Sequence, residues 1–502
     1  MSACATLGAV TDAQSPSGEG RASATFLTAA EIARIVGGRL VVDSPRPVRG
    51  AAVDSRLAEP GNLFVALLGE RTDGHRFLAA AGAAGAAAVL VRELPVDVDL
   101  PADIGVVEVA DPLAGLHAVA ASWRRRFDPL VVGVTGSIAK TSTKDAIAAV
   151  LGERFVTLKN DGNQNNEVGL PITVLRLAAE HEAAVLEMGM YTGGEIEELA
   201  AIAQPRIGVV TAVHAVHLSR IGSLDAIERA KGELIEALPP NGTAVLNADD
   251  GRVRRMGTRG PAAVVTYGFA ADADVRAEDV RSKGAAGMEF SLVAGRGAPE
   301  PMAVATLGRH AVHNALAAAA VGLAAGLSMV ELRRGLARAR VSEHRGELIV
   351  AGPIRLLDDT YNASPRSVRA ALDLLATLPG RHVAVLGEML ELGDAGPAGH
   401  LEVGEAAAAT ADLLVVVGAG AHGIAEGARA AGLPADRTAM VPDCDAAAVL
   451  LADWLRPGDV VLLKASRGVA MERLVEELRA AWSRHGAGAG SGDRAASGLT
   501  TS

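Results

Sequence analysis

Two periodicities alternate along the chain. Short apolar runs that fit buried strands are followed by longer stretches whose apolar residues recur on one face of a helix. Residues 25–125 open with TAAEIARIVGG, a helix started by Thr28, and continue with short strands around 39–42, 62–67, 88–91 and 105–109. Residues 126–345 start with the run PLVVGVTG, which feeds the helical pattern TKDAIAAVLG; further strands are expected at AAVLEMG, RIGVVTAV and TAVLNADD. Residues 346–484 repeat the alternation with IRLLDDT, HVAVLGE, LLVVVG and DVVLLKAS around helical stretches such as SVRAALDLLATL. This pattern predicts an α/β protein of three domains, with mostly parallel sheets covered by helices on both faces. The third block has a Rossmann-like layout, although no GxGxxG follows its first strand. The apolar, Ala/Gly-rich segments 78–91 and 312–327 read as buried helices, because neither gives a clean membrane span. Residues 1–24 and 485–502 have too little apolar surface to offset ordering entropy and read as disordered tails.

Composition narrows the class. The formal charge of −11 argues against a bulk electrostatic fit to nucleic acid or to an anionic membrane. The two cysteines, Cys4 and Cys444, form no disulfide framework and no CxxC metal pattern. The N-terminus carries no basic region followed by a long apolar run, since the first Arg is Arg21. A soluble, cytoplasmic monomer is expected. Only six of the 48 basic residues are lysines: Lys140, Lys144, Lys159, Lys231, Lys283 and Lys464. Where an Arg-rich chain keeps Lys, a compact ammonium is a mild hint of function.

The strongest motif is Gly136-Ser137-Ile138-Ala139-Lys140-Thr141-Ser142, set between a buried strand and a helix. A helix N-terminus there offers unpaired N–H groups and the positive end of its dipole to a phosphate chain. Lys140 can neutralise β/γ-phosphate charge and Thr141 can offer its hydroxyl to Mg²⁺. Ala139 stands where the usual pattern has Gly, and Val134 occupies the first Gly position. Ala is tolerable at negative φ, and strained by roughly 1–2 kcal/mol at positive φ.

Other candidates sit near strand ends. Asn163, Asn165 and Asn166 lie in a polar loop, where a plain turn is as good a reading as phosphate orientation. Glu187 ends a strand next to the loop, where a Mg²⁺ ligand belongs. His217 follows the next strand, with His214 as its neighbour; histidine is unusual for so hard a cation. Lys231 falls on a helix beginning near Ser223, where a solvated face is the plain alternative. Asp358, Asp359, Tyr361 and Asn362 end one strand of the third block; Lys464, Ser466 and Arg467 end another. Such ends open onto one crevice. Arg345 offers planar, permanent charge to a γ-phosphate.

Together these residues resemble the Mur ligases of peptidoglycan synthesis. The resemblance covers about residues 26–480 and includes VDSRLAEPGNLFVALLGERTDGHRF, TGSIAKTSTKD, NQNNEVGLP, LEMGMYTGGEIEELAAIAQP, GRHAVHNALAA, DDTYNASPRSVRAAL, VLGEMLELG and KASRGVAMERLVEEL. It implies a UDP-substrate-binding N-terminal domain, a central ATPase domain and a C-terminal Rossmann-like domain. DDTYNASP, LGEMLELG and the final KASR…ME pattern point to the member that joins D-alanyl-D-alanine to UDP-MurNAc-tripeptide. In that reaction ATP and Mg²⁺ serve an acyl-phosphate intermediate. By the same resemblance, Thr141 and Glu187 hold one Mg²⁺ and His217 helps hold a second. Lys231 matches a lysine that is carbamylated in several relatives. His310 and Asn314 match the segment facing adenine, Asp359 and Asn362 lie near the nucleotide, and Ser55 and Arg56 mark the uridine end. Lys464, Ser466 and Arg467 fall near the peptide substrates. Ala139, Ala212, Val213 and Ser219 depart from the usual residues, and none removes a charged catalytic group. Another amide ligase of the superfamily, of folylpolyglutamate or cyanophycin type, and a non-catalytic nucleotide-binding scaffold are the alternatives.

Overall fold

A computed structural model describes residues 26–69, 72–214, 221–340 and 343–488. The chain divides into two compact units. One comprises the residues up to Val213 with Asp225–Val275 and Ala317–Gly335; the other comprises His214–Leu224, Arg276–Leu316 and the chain from Leu336 on. The strands among the described residues form three sheets. Among the described residues no helix is long and apolar enough to cross a membrane.

The first unit opens with the expected helix, Ala29–Val36. Thr28 and Glu31 close a reciprocal capping box at its start, and Gly37 ends it in the left-handed region. Strands β1 (Arg39–Val42), β2 (Ala51–Ala52), β3 (Leu63–Val65), β4 (Ala88–Val91) and β5 (Gly105–Glu108) form a sheet in the order β1-β5-β4-β3-β2. Only β1 runs antiparallel to its neighbour. The segment 78–91 is not one buried helix. A helix spans Leu78–Ala83, the chain turns at Gly85 with φ +93°, and the rest is β4.

The same unit holds β6 (Leu130–Thr135), β7 (Thr157–Lys159), β8 (Ala183–Glu187), β9 (Ile207–Val210), β10 (Thr243–Asn247) and β11 (Ala263–Gly268), in the order β11-β10-β9-β6-β8-β7. Every neighbouring pair among these six is parallel. From β6 the chain goes to β7 at the edge, returns to β8 beside β6, then crosses to β9 on the other side. That reversal opens a crevice beyond the C-terminal end of β6, where open α/β sheets bind ligands.

In the second unit, β12 (Val275–Ser282, from Arg276 on), β13 (Met288–Ala294) and β14 (Glu300–Val304) carry a polar alternation that the buried-strand pattern passes over. There follow β15 (Glu347–Ala351), β16 (Ile354–Asp358), β17 (His382–Gly387), β18 (Leu413–Val417), β19 (Thr438–Val441) and β20 (Val460–Lys464), in the order β15-β16-β20-β17-β18-β19. All pairs but β15–β16 are parallel. Along β20, Val460 and Leu462 join one apolar core while Val461 and Leu463 join the other, so both faces of the sheet are covered.

Candidate functional site

The loop after β6 is shaped by the neighbouring strand. Thr211, just past β9, donates its hydroxyl to the Ile138 carbonyl at 2.6 Å, and the Ser137 N–H donates to the Ala212 carbonyl at 2.8 Å. Gly136 has φ +151°, and a Cβ there would lie 1.8 Å from Thr211 Oγ1. This position therefore admits no side chain. Asn247, at the end of β10, donates to the Thr211 carbonyl at 2.7 Å, and Asp250 accepts from the Val213 N–H at 2.8 Å. The loop thus rests on polar contacts that cross three strands.

Ala139 precedes the helix Lys140–Leu151 with φ +63° and ψ +6°. The strained alternative applies: a non-glycine residue sits in the left-handed region at the start of the phosphate loop's helix.

Parallel pairing sets Glu187 beside Val134. Its carboxylate is 2% exposed, so the solvated alternative does not hold. Thr141 Oγ1 donates to Glu187 Oε2 at 2.7 Å, and Asn165 Nδ2 donates to Oε1 at 2.7 Å. A hydroxyl and a carboxylate that close together are the hard oxygen donors that Mg²⁺ prefers, with waters and phosphate oxygens completing its shell. Of the other loop asparagines, Asn166 accepts from the Gly169 N–H at 2.9 Å, which is a turn role. Asn163 is exposed, and its side chain hydrogen-bonds to none of the described residues.

Lys231 lies on the helix Leu224–Glu236, 3% exposed, rather than on a solvated face. Among the described residues its ammonium has no hydrogen-bond or ion-pair partner. Burial, and then the positive charge of Lys140, push its pKa well below the usual lysine value; Glu233 opposes them. His217 and Ser219 lie outside the described residues. Ser55 and Arg56 belong to a short 3-10 turn capped by Asp54, whose carboxylate takes Arg56 Nε at 2.9 Å and Nη2 at 2.6 Å. Those Arg56 hydrogen bonds hold Asp54 down to about 2.

The second unit gathers its own set. Lys464, ending β20, is 2% exposed and donates to Asp359 Oδ2 at 2.5 Å, the Asn362 carbonyl at 2.9 Å and the Asp359 carbonyl at 3.3 Å. Burial pushes the pKa of His310 down; the charge of Asp359 opposes this and that of Lys464 adds to it. Asn314, one turn on, is 8% exposed. Ser466 accepts from the Leu390 N–H at 2.9 Å and donates to the Ala363 carbonyl at 3.4 Å. Arg345 stacks over the Tyr361 ring at 3.7 Å, and Arg467 reaches the same ring at 5.2 Å. His344 bonds the buried Asp358 at 2.7 Å. Burial works against a charge on His344, but the hydrogen bond and charge of Asp358, with Glu472 and Glu343, outweigh it and raise its pKa.

Several members of the first unit's site carry no sequence signal. Thr211, Asn247, Asp250 and Asn160 are ordinary polar residues until strand pairing brings them to the loop, and their place at or just past a strand end is the only cue. Lys144, one of the six lysines, lies on the phosphate-loop helix itself.

Three stretches match known families: the Mur ligase family catalytic domain over residues 47–121, the Mur ligase middle domain over 134–322, and the Mur ligase glutamate ligase domain over 344–467. A UDP-N-acetylmuramoyl-tripeptide–D-alanyl-D-alanine ligase of Mycobacterium tuberculosis is 40% identical over 500 residues, covering 90% of this chain and 97% of its own. The enzyme of the same name from Escherichia coli is 38% identical, covering 85% and 92%. Among solved structures, MurF from Acinetobacter baumannii aligns with a TM-score of 0.81 at 30% identity, over 91% of this chain and all of its own. MurF from Thermotoga maritima in complex with ADP aligns at 0.76 and 28% identity, over 87% and 99%.

Proposed function

Because the chain belongs to the Mur ligase family, we propose that it joins D-alanyl-D-alanine to UDP-MurNAc-tripeptide at the expense of ATP, giving UDP-MurNAc-pentapeptide for peptidoglycan synthesis. The observation that carries the chemistry is the 2.7 Å contact between Thr141 and the buried Glu187 at the head of the phosphate-loop helix. The likeness along nearly the whole length of the D-alanyl-D-alanine ligases supports the choice of substrates. The likeness to folylpolyglutamate synthase, at 18% identity, is one of fold alone.

A carboxylate resists an amine because its charge repels the nucleophile and its oxygen leaves poorly. In the proposed reaction a tripeptide carboxylate oxygen takes the γ-phosphoryl group of ATP, releasing ADP. The amine of D-alanyl-D-alanine then attacks the acyl carbon, and phosphate leaves with the C–O bonding pair as the amine gives up a proton. Both steps gather anions, so the site must supply positive charge. Lys140, Ser142 and the N–H groups of the loop Gly136–Ala139 cradle the phosphates. Thr141 and Glu187 would hold Mg²⁺, which supplies charge neutralisation at the phosphate oxygens.

Lys231 would bear a carbamate. A buried amine whose pKa is lowered is partly neutral, and a neutral amine adds carbon dioxide, forming an N–C bond and releasing a proton. The product is an anion able to hold a cation, which arginine cannot become; His217 would join it. His310, Asn314, Arg345, Asp359 and Asn362 are assigned to the nucleotide. Ser55 and Arg56 are assigned to the uridine end, and Asn163, Asn165, Lys464, Ser466 and Arg467 to the peptide substrates. The three family matches support a division into 25–125, 126–345 and 346–484. A UDP-linked, water-soluble substrate supports a cytoplasmic location for the reaction.

Phosphate release from purified protein with ATP, Mg²⁺, UDP-MurNAc-tripeptide and D-alanyl-D-alanine tests the reading. Release that requires both peptide substrates is expected. Nucleotide binding without release would leave only the scaffold.

A further inference from the structure

Asn160 stands just past β7, outside every motif quoted above, and is fully buried. Its side chain and carbonyl are nonetheless saturated. Oδ1 accepts the Glu187 N–H at 2.9 Å; Nδ2 donates to the Gln164 carbonyl at 2.7 Å and the Glu187 carbonyl at 3.3 Å. The amide orientation is unambiguous, because flipping it would set donor against donor and acceptor against acceptor. The Asn160 carbonyl in turn accepts from Lys144 Nζ at 2.7 Å, and Lys144 is itself only 1% exposed. One side chain therefore grips the backbone of Glu187 on both its N–H and its C=O, and also grips the loop that delivers Asn165 to the Glu187 carboxylate.

We propose that Asn160, anchored by Lys144, is a positioning residue that fixes the Glu187 carboxylate for the divalent cation. The inference rests on the reading of Glu187 as a cation ligand. The physical case is that a ligand carboxylate works only if its direction is held, and groups that orient ligands typically cost 10–100-fold in affinity or activity when removed. β7 has only three residues, so ladder hydrogen bonds alone hold this edge weakly. Asn160 supplies the missing restraint from a side chain, and Lys144 supplies its fixed end from the phosphate-loop helix. The same helix carries Thr141, so both oxygen donors at the cation position are referenced to one rigid element.

The test compares Asn160→Thr with Asn160→Val, two side chains of one shape that differ in a hydroxyl. The probe is Mn²⁺ binding to the full chain in the presence of ADP, followed by electron paramagnetic resonance. Mg²⁺ dependence of phosphate release and thermal melting are measured alongside. Asn160→Val should weaken Mn²⁺ binding about tenfold or more and raise the Mg²⁺ requirement in proportion. Asn160→Thr should recover most of both, because its hydroxyl still accepts the Glu187 N–H. Wild-type Mn²⁺ affinity in both variants, with only the melting temperature lowered, would make Asn160 a structural cross-link and overturn the proposal. If Asn160→Val does not fold, Asn160→Thr alone still decides. One hydroxyl cannot serve both the N–H and two carbonyls, so a weakening of about threefold is expected and none overturns the idea. Glu187→Gln separates the two layers. Unchanged Mn²⁺ affinity in that variant removes Glu187 as a ligand; a loss there without a loss in Asn160→Val removes only the positioning role.

Discussion

Lys231 in the first unit and Lys464 in the second are buried almost equally, at 3% and 2% exposure. Their surroundings differ in kind. Lys464 is ringed by a carboxylate and two carbonyls, so its charge is met where it lies. Lys231 has no hydrogen-bond or ion-pair partner among the described residues, and the charge that acts on it most is that of another lysine, with Glu233 opposing. Burying an unpaired ammonium costs several kcal/mol unless the group gives up its charge. The proposed carbamate would relieve that cost by replacing the ammonium with an anion that a bound cation can meet. Lys464 instead does its work as it stands, tying Asp359 and Asn362 to the end of β20.

Replacing each lysine should separate these roles. Lys231→Met is expected to lower ligase turnover about 10²-fold or more while leaving thermal stability equal or higher, since no ion pair with a described residue is broken. Turnover assays and calorimetry on the same preparation check both halves, and retained turnover would dissolve the contrast. Carbon-13 bicarbonate should give a carbamate signal with the wild type that Lys231→Met lacks. Lys464→Met should lower stability as well as turnover. It strands Asp359 and is expected to cost about 2 kcal/mol in denaturant unfolding, toward the low end for a broken pair because Asp359 is partly exposed.

Two smaller effects sharpen the picture around each lysine. Ala139→Gly removes the left-handed strain beside Lys140 and should raise stability by about 1 kcal/mol, with a modest change in ATP affinity. A drop in melting temperature would mean that the loop's entropy outweighs its strain. In the second unit, the folded pKa of His344 lies above its unfolded value. Its stabilising contribution is therefore full below about pH 6.5 and is lost as pH rises through the folded pKa. The melting-temperature gap between wild type and His344→Gln should be widest under acidic conditions and close on the alkaline side. A gap that does not vary with pH would mean that the Asp358 contact does not depend on charge.

The sequence pattern reaches the long parallel strands because their apolar runs are continuous, as at PLVVGVTG and DVVLLKAS. It does not reach β12, where polar residues alternate, β15, a five-residue edge strand that opens on Glu347, or β7, which is three residues long. The phosphate loop, Glu187 and the strand-end residues of the third block are legible because chemistry at strand ends follows from topology. What the loop rests on is not. Thr211 and Asn160 acquire their partners only once β9 and β8 lie beside β6 and β7, and the sign of φ at Ala139 is a property of that packing. Burial of Lys231 could be suspected from the scarcity of lysine, but its lack of an ion-pair partner among the described residues could not.

The hydroxyl of Thr211 under the Ile138 carbonyl bears on how far this motif is portable. Gly136–Ser142 is not a self-contained module, since its outline is moulded by a residue 73 positions after Ile138. Transplanted alone between the strand and helix of another sheet, the seven residues would arrive without their mould. A graft should carry Thr211 and Asn247 with it, and recombination between relatives should tolerate crossovers after β10 better than crossovers between β6 and β9.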